Sequence, residues 1–147
     1  MKLSTRGRYG TRALLDLALH YKNSPVPLKD IASRQEISLH YLEHLIAPLI
    51  SAGIVRSTRG FRGGLQLARP PREIKLSEVV QLLEGPTISV ECISNPECCS
   101  HHNLCATRDV WAEMKKAMDG VLESKTLQDL VNRQRAKEQP KKEMYYI

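Results

Sequence analysis

Apolar residues recur at helical spacing along the first fifty positions of the chain and predict three helices. The first is expected to begin at Ser4 or Thr5 and to end near Tyr21. After a break at Pro25-Val26-Pro27, a short second helix is predicted from Leu28 to Gln35, with a proline at its start. A tight turn then leads to Ser38, the expected N-cap of a third helix that reaches about Ala52.

Two short helices joined by a tight turn are typical of a helix-turn-helix, and a predicted β-hairpin follows them. Its strands are expected at Ile54–Ser57 and Leu65–Ala68, and its tip has the sequence Thr58-Arg59-Gly60-Phe61-Arg62-Gly63-Gly64. A glycine-rich, basic hairpin directly after a helix-turn-helix predicts a wing. No Gly-Lys-Ser/Thr follows the glycines, which disfavours a nucleotide-binding P-loop. We expect Phe61 to pack against the base of the wing.

The second half of the chain predicts two short helices, a cysteine-rich stretch and one long helix. Ser77 is expected to cap a fourth helix over Glu78–Leu83, and the cysteine-rich stretch, which has no periodicity, is expected to be a loop. A long helix is predicted from about Leu104 to Leu122. A capping box at Thr126 and Asp129 then predicts a final helix from Leu127 to about Arg135.

These elements predict a mainly α protein with a small β-hairpin, divided into four parts. Residues 1–85 are expected to form a winged helix-turn-helix DNA-binding domain, and residues 86–106 a cysteine-rich loop that binds a cluster. Residues 104–136 are expected to form a long dimerisation helix and the final helix. Residues 137–147 are expected to be a mobile tail.

Charge is distributed unevenly along the 147 residues. The chain has 22 lysines and arginines against 16 aspartates and glutamates, a net charge of +6. Residues 1–75 carry 13 basic and 5 acidic side chains, whereas residues 76–147 carry 9 and 11. A basic front half is typical of a nucleic-acid binder, although charge alone fits a solvated basic face equally well. No apolar run is long enough to span a membrane and the N-terminus lacks a signal-peptide core, so we expect a cytoplasmic protein with no membrane partner.

The third helix is expected to lie in the major groove of DNA. Its candidate base-contacting residues are Ser38, His40, Tyr41 and Glu43. Because a carboxylate only accepts hydrogen bonds, Glu43 is a candidate specificity filter that tolerates a cytosine amino group and penalises other base edges. The alternative is that Glu43 is an ordinary glutamate of a helix surface.

The wing and the N-terminus supply the remaining candidate DNA contacts. Gly60 lets the backbone approach DNA closely, and Arg59 and Arg62 suit a narrow minor groove of negative potential. Lys2 is expected to contact a phosphate. The other candidates at this end are Ser4 and Arg6.

All four cysteines lie within fourteen residues, at Cys92, Cys98, Cys99 and Cys105. In a reducing compartment such a cluster indicates metal or redox chemistry and not disulfides. Zinc modules usually pair cysteines two to four residues apart, and the wider spacing here fits an iron–sulfur cluster better. A thiol enzyme would need a base that opposes the thiol across a pocket, so we predict no enzymatic activity. A zinc-stabilised adaptor that binds no specific DNA is a further alternative.

The predicted long helix carries more apolar surface than a DNA-binding head of about 75 residues, formed by the front of the chain, can cover. We therefore expect a homodimer in which the partner's copy of the helix buries this stripe, with two heads on half-sites about 34 Å apart. The stripe consists of Val110, Trp111, Met114, Met118, Val121 and Leu122.

Four motifs carry a resemblance to a known family: Lys2–Gly10, Ser38–Glu43, the wing glycines and the cysteine stretch. From residue 1 to about 135 the chain resembles the IscR-type iron–sulfur regulators of the winged-helix family. The resemblance implies a homodimeric transcription regulator that binds a double-stranded DNA operator and controls genes of iron–sulfur cluster biogenesis. It also implies one [2Fe–2S] cluster per subunit that tunes DNA binding, with Cys92, Cys98 and Cys105 as ligands.

The chain departs from the IscR-type pattern around the cysteines. IscR-type regulators have a histidine three residues after the last cysteine, whereas this chain has Arg108, a poor ligand. The adjacent Cys98 and Cys99 compete for the role of second ligand. The candidates for the fourth ligand are Cys99, His101, His102 and Asp109.

Two further motifs, Glu84-Gly85-Pro86 and Tyr145-Tyr146-Ile147, resemble CymR-type repressors of cysteine metabolism, which belong to the same family. These repressors lack the cysteine cluster and act through cysteine synthase, whose active site a C-terminal isoleucine can enter. The alternative function is therefore a CymR-like repressor of cysteine metabolism, with cysteine synthase bound through Tyr145–Ile147.

Overall fold

A computed structural model of the protein describes residues 2–139, which are mainly helical with one two-stranded hairpin. The first half contains α1 (Thr5–Leu19), α2 (Leu28–Gln35), α3 (Leu39–Ser51), β1 (Val55–Thr58), β2 (Gly64–Leu67), a 3₁₀ turn (Pro71–Glu73) and α4 (Leu76–Glu84). The second half contains α5 (Glu91–Ser94), 3₁₀ turns at Pro96–Cys98 and His102–Leu104, α6 (Ala106–Glu123) and α7 (Leu127–Glu138). The mainly α winged-helix prediction is confirmed.

Three of the predicted helix caps are present. Ser4 and Ser38 accept hydrogen bonds from the backbone N–H of Gly7 and Tyr41, and Thr126 begins α7 with the expected capping box. The prediction for Ser77 is wrong, because α4 begins two residues earlier, with Lys75 at its N-cap, and the Ser77 hydroxyl donates to Glu123 of α6 at 2.7 Å. The earlier start follows from the Leu76 N–H, which donates to the Lys125 carbonyl at 2.9 Å.

The core is shared by α1–α4, the hairpin and α7. Its fully buried side chains include Leu14 of α1, Leu42 and Leu49 of α3 and Leu127 of α7. The final helix α7, which follows the predicted dimerisation helix in the chain, packs on α1 and buries Leu127 and Val131. The Leu127 N–H donates to the Ile74 carbonyl at 3.0 Å, which holds the start of α7 against the head. We use "head" below for residues 2–85 together with α7.

Two glycines let α4 cross α1 at close range. A Cβ atom at Gly7 would lie 2.0 Å from Oε1 of Glu84, and one at Gly10 would lie 2.5 Å from Cδ1 of Leu83. The Glu84 carboxylate accepts hydrogen bonds from the backbone N–H of Ser4 at 3.0 Å and from its hydroxyl at 2.5 Å. The C-terminal end of α4 is therefore fixed to the N-terminal end of α1.

A buried carboxylate joins α1 to the helix-turn-helix. Asp16 accepts hydrogen bonds from Arg34 Nε and Nη2 at 2.9 and 2.6 Å and from Gln35 Nε2 at 3.0 Å. Arg12 donates to the Gln35 carbonyl at 2.5 Å. These contacts fix the end of α2, and the chain turns into α3 through Glu36 in the left-handed conformation, with φ +54°.

The region between α4 and α6 is not the featureless loop that we predicted. Residues 86–105 form three single turns of helix, namely α5 and two 3₁₀ turns. The predicted mobile tail overlaps the end of α7 at residues 137 and 138, and Tyr145–Ile147 lie outside the described residues. No helix within residues 2–139 has the length and apolar character that crossing a membrane requires.

Candidate nucleic-acid interface and metal centre

The outer face of α3 presents polar side chains to solvent. His40 is 83% exposed and Glu43 57% exposed, and Ser38 is exposed at the helix start, although its hydroxyl caps the helix. Tyr41 is half-buried, and its ring packs edge-on against Tyr9 with the centroids 6.1 Å apart. The structure thus brings the predicted major-groove residues together on one helix, with His40 and Glu43 the most accessible of them.

A histidine that we did not single out, His44, lies beside His40 on the same face. The two Nε2 atoms are 3.2 Å apart, and the ring planes meet at 88°. Glu43 Oε2 is 4.0 Å from His40 Nδ1. The spacing of four residues was a sequence signal for this pair, because residues four apart on a helix are neighbours.

The wing of the head is a short antiparallel hairpin that pairs Val55 with Leu67 and Thr58 with Gly64. Its tip depends on glycine: Gly60 has φ +107°, and a Cβ atom at Gly63 would lie 2.2 Å from the Thr58 carbonyl oxygen. Arg59 and Arg62 are exposed at this tip. The packing expected for Phe61 is absent, because its side chain is fully exposed.

Basic side chains at the N-terminus lie on the same head. Lys2 and Arg6 are exposed, and within residues 2–139 neither forms an ion pair, nor do Arg59 and Arg62. Ser4 is half-buried, and its hydroxyl is engaged with Gly7 and Glu84. Of the three N-terminal candidates, Lys2 and Arg6 therefore have free charged groups, whereas Ser4 has a structural role at the start of α1.

The four cysteines are reduced and line the segment between α4 and α6. Cys98 is exposed, and the other three are half-buried. Within residues 2–139 no group of three or more metal-ligating side chains is assembled around one point. The thiols are thus close in sequence and accessible, but this conformation does not bring them to a common centre.

Two of the thiols have shifted pKa values. Cys105 is the N-cap of α6, where the Thr107 hydroxyl and backbone N–H groups of Arg108 and Thr107 lower the pKa of its thiol. Desolvation, the Glu91 carboxylate and the neighbouring thiols of Cys92 and Cys99 raise the pKa of Cys98. The start of the long helix therefore favours a thiolate at Cys105, an ionisation that a metal ligand needs.

Arg108 has a different role from the histidine of the IscR-type pattern. Its Nε donates to the Cys92 carbonyl at 2.8 Å, which ties the first cysteine to the first turn of α6. Nδ1 of His102 lies 2.8 Å from the Cys99 carbonyl, while His101 and Asp109 are exposed. Arg108 thus binds the backbone of the segment at Cys92.

The long helix α6 has no buried residue, although its apolar stripe is continuous. Trp111 is 41% exposed, Val110 and Val121 are exposed, and Met114, Met118 and Leu122 are half-buried. Contacts with α4 and α5 cover only part of the helix. The single chain therefore leaves the predicted dimerisation face of α6 largely open to solvent.

The fold and the exposed residues of α3 and the wing define a winged helix-turn-helix regulator. Residues 3–133 match the model of the Rrf2 family, described as "Iron-dependent Transcriptional regulator". The chain belongs to the Rrf2 family of DNA-binding transcriptional regulators.

Relatives from both predicted branches of the family are similar to this chain. Protein rrf2 of Nitratidesulfovibrio vulgaris is 49% identical over 131 residues, which cover 89% of this chain and 87% of that one. The structure of T. potens IscR superposes with a TM-score of 0.81 at 40% identity, covering 99% of this chain and 97% of that one. The structure of CymR, the global cysteine regulator of B. subtilis, has a TM-score of 0.78 at 38% identity, covering 90% and 98%. The predicted resemblance is confirmed.

Proposed function

We propose that this protein is a homodimeric transcription regulator that senses iron–sulfur cluster status and controls genes of cluster biogenesis. The observation that carries the proposal is the position of the four cysteines, directly between a DNA-binding head and a long helix with an exposed apolar face. An IscR structure is similar to the chain over 99% of its length, which supports this function.

In the proposed complex, α3 enters the major groove and the wing lies along the adjacent minor groove. Glu43 faces the bases and selects for sites with a donor, such as a cytosine amino group. Arg59 and Arg62 insert into the minor groove where it is narrow and negative. Lys2 and Arg6 hold the neighbouring phosphates and supply affinity without sequence preference.

The dimer brings the two α6 helices together over the stripe that the single chain leaves exposed. Burying Trp111 and the two methionines of each copy removes apolar surface from water at about 25 cal/mol per Å². Two heads linked through α6 bind half-sites on one side of the operator, so each dimer contact also fixes the spacing of the α3 helices. An operator made of two related half-sites is therefore expected.

The donor set of the cysteine segment fits a [2Fe–2S] cluster, one per subunit. Several cysteine thiolates within fourteen residues are the ligands that such clusters take, and none of the four thiols is buried. Cys92, Cys98 and Cys105 would hold the cluster, with the fourth ligand from Cys99, His101, His102 or Asp109. When bound, the cluster supplies a reversible link that depends on iron, sulfide and oxygen.

Hydrogen bonds join the cysteine segment, residues 86–105, and the end of α4 to α1 and α6. Glu84 of α4 accepts from Ser4 of α1, and the Thr87 hydroxyl donates to Asp119 of α6 at 2.7 Å. Nε of Arg108, in the first turn of α6, donates to the carbonyl of Cys92, the first cysteine. Fixing residues 92–105 in one conformation therefore orients α6 relative to the head. Couplings of this kind typically change affinity about 5–150-fold.

The test is to purify the protein without oxygen and to compare it with Cys92→Ala and with the control Ser94→Ala from the same segment. Wild type and the control are expected to be reddish-brown with visible bands that bleach in air, and Cys92→Ala colourless. On DNA, Cys92→Ala should lose a subset of operators, and Glu43→Ala in that background should recover binding broadly. Colourless wild-type protein with stoichiometric zinc would refute the cluster.

A second candidate function is repression of cysteine metabolism through cysteine synthase. The similarity to CymR over 90% of this chain favours it, and the C-terminal Tyr145-Tyr146-Ile147 would supply the contact to the enzyme. Co-sedimentation of the protein with cysteine synthase is expected in this case, and deletion of the last three residues should abolish it. Wild-type protein that holds no cluster and sediments with the enzyme would favour this candidate over the first.

A further inference from the structure

The pair of histidines on the outer face of α3 has the geometry of a chelate. Nε2 of His40 and Nε2 of His44 lie 3.2 Å apart, at hydrogen-bond distance, with the rings nearly perpendicular, so a metal ion would take the place of the proton that the two nitrogens share. We propose that His40 and His44 bind one divalent transition-metal ion, so that the DNA-facing surface of this regulator carries a metal site separate from the cysteine segment.

The distance between the two nitrogens matches a shared metal ion. With metal–nitrogen bonds of about 2.0–2.1 Å, two imidazole nitrogens on one ion lie about 2.9 Å apart at a right angle and about 3.4 Å apart at the tetrahedral angle. The observed 3.2 Å lies between these values. Both rings therefore accept an ion with only a small movement, and imidazole is a good ligand for zinc, copper and nickel.

The surroundings of the pair favour a cation. Glu43 Oε2 lies 4.0 Å from His40 Nδ1, the ring nitrogen that does not contact His44. A carboxylate that hydrogen-bonds the second ring nitrogen is the usual outer partner of a metal-bound histidine, and a small movement of the exposed Glu43 side chain would supply one. His20 and His102 differ, since Nδ1 of each lies close to a backbone carbonyl and neither has a histidine partner.

The site offers two protein ligands, because the described residues hold no group of three or more metal-ligating side chains. Water completes the coordination, so the ion exchanges readily and its occupancy follows the free metal concentration. His40 is also among the side chains that α3 would present to base edges. A hydrated ion on the pair and an operator in the groove therefore compete, and each lowers the affinity for the other by the same factor.

The first measurement uses the full chain without DNA and follows the imidazole resonances by NMR as zinc is added. One equivalent beyond those that the thiols bind is expected to shift the rings of His40 and His44 together. Titration with nickel should show one fewer equivalent in His40→Gln and in His44→Gln than in wild type. The control His20→Gln, at the end of α1 and outside both proposed metal sites, should bind nickel as wild type does. Rings that do not respond, or single variants that keep the full nickel stoichiometry, would overturn the site.

The second measurement concerns competition and rests on the proposed DNA-binding function. Affinity for a DNA site selected from a random pool is measured with and without nickel. Wild type should bind at least about fivefold more weakly with nickel, and His44→Gln should bind alike in both conditions. Affinity that is unchanged or increased by nickel in wild type would overturn the competition. If no DNA site is selected at all, the proposed function fails while the zinc and nickel titrations still decide the metal site.

Discussion

The replacement of Asp16 by asparagine is expected to weaken the contact between α1 and the helix-turn-helix. The Asp16 side chain is 3% exposed, whereas its partner Arg34 is 41% exposed. Removing one member of a buried ion pair costs about 3–5 kcal/mol where the other charge stays buried. Arg34 can regain water at the surface, so we expect Asp16→Asn to lower the free energy of unfolding by a smaller amount, about 2–3 kcal/mol at pH 7.

The same replacement should change the pH dependence of stability. Burial alone would raise the pKa of Asp16, but the hydrogen bonds from Arg34 and Gln35 and the nearby charges outweigh it and hold the pKa below the ordinary value of 3.8. The stabilisation is therefore present at neutral pH and is lost as pH falls through the pKa of the folded state. The difference in unfolding free energy between wild type and Asp16→Asn should narrow on acidification.

Urea unfolding at a series of pH values measures both effects. Asp30→Asn, on the first turn of α2, serves as the control, because this half-buried carboxylate makes no ion pair within residues 2–139. It should cost about 1 kcal/mol or less, the size of a helix-dipole contribution. An unchanged unfolding free energy for Asp16→Asn at pH 7, or a difference that stays constant in acid, would refute the role assigned to this carboxylate.

Three further perturbations test the head, the wing and the dimer. Gly10→Ala places a methyl group 2.5 Å from Leu83 Cδ1 and should lower the free energy of unfolding by about 1–3 kcal/mol, measured in urea. An unchanged urea midpoint would show that α4 can move away from α1 without loss of stability. Arg59→Ala should weaken operator binding by about 1–3 kcal/mol at fixed salt, whereas Lys2→Ala should lower the affinity for all DNA sequences alike. An unchanged operator affinity for Arg59→Ala would show that the wing does not enter the groove. Met114→Asp with Met118→Asp should give monomers in sedimentation, and a double mutant that stays dimeric places the interface elsewhere.

The helices of the head could be predicted from the sequence because their apolar residues recur at helical spacing and pack against one another within one chain. The predicted bounds of α2 agree with the structure, and the serine caps of α1 and α3 follow from one local hydrogen bond each. The placement of α7 was not predictable from periodicity. Its two buried residues lie on one apolar face, but only the folded structure shows that this face packs on α1.

The candidate site was predictable as a set of residues and less so as an arrangement. Charge and glycine content indicated the wing, but not that the Phe61 side chain at its tip is fully exposed. The spacing of the four cysteines predicts metal ligands, but within residues 2–139 the structure brings no three metal-ligating side chains to one point. Spacing along the chain does not determine how residues of such short turns are placed in space.

The exposed surfaces of the chain fall where its proposed contacts to other molecules lie. A stable head needs α1–α4 and α7, and these helices bury their apolar residues among themselves. The apolar stripe of α6, the tip of the wing and the thiols contribute little to that core. Substitutions there should therefore alter dimerisation, DNA binding or metal binding with little loss of head stability. Substitutions at Asp16 or Gly10 should instead lower the stability of the head, and they should weaken binding only because the head is less stable.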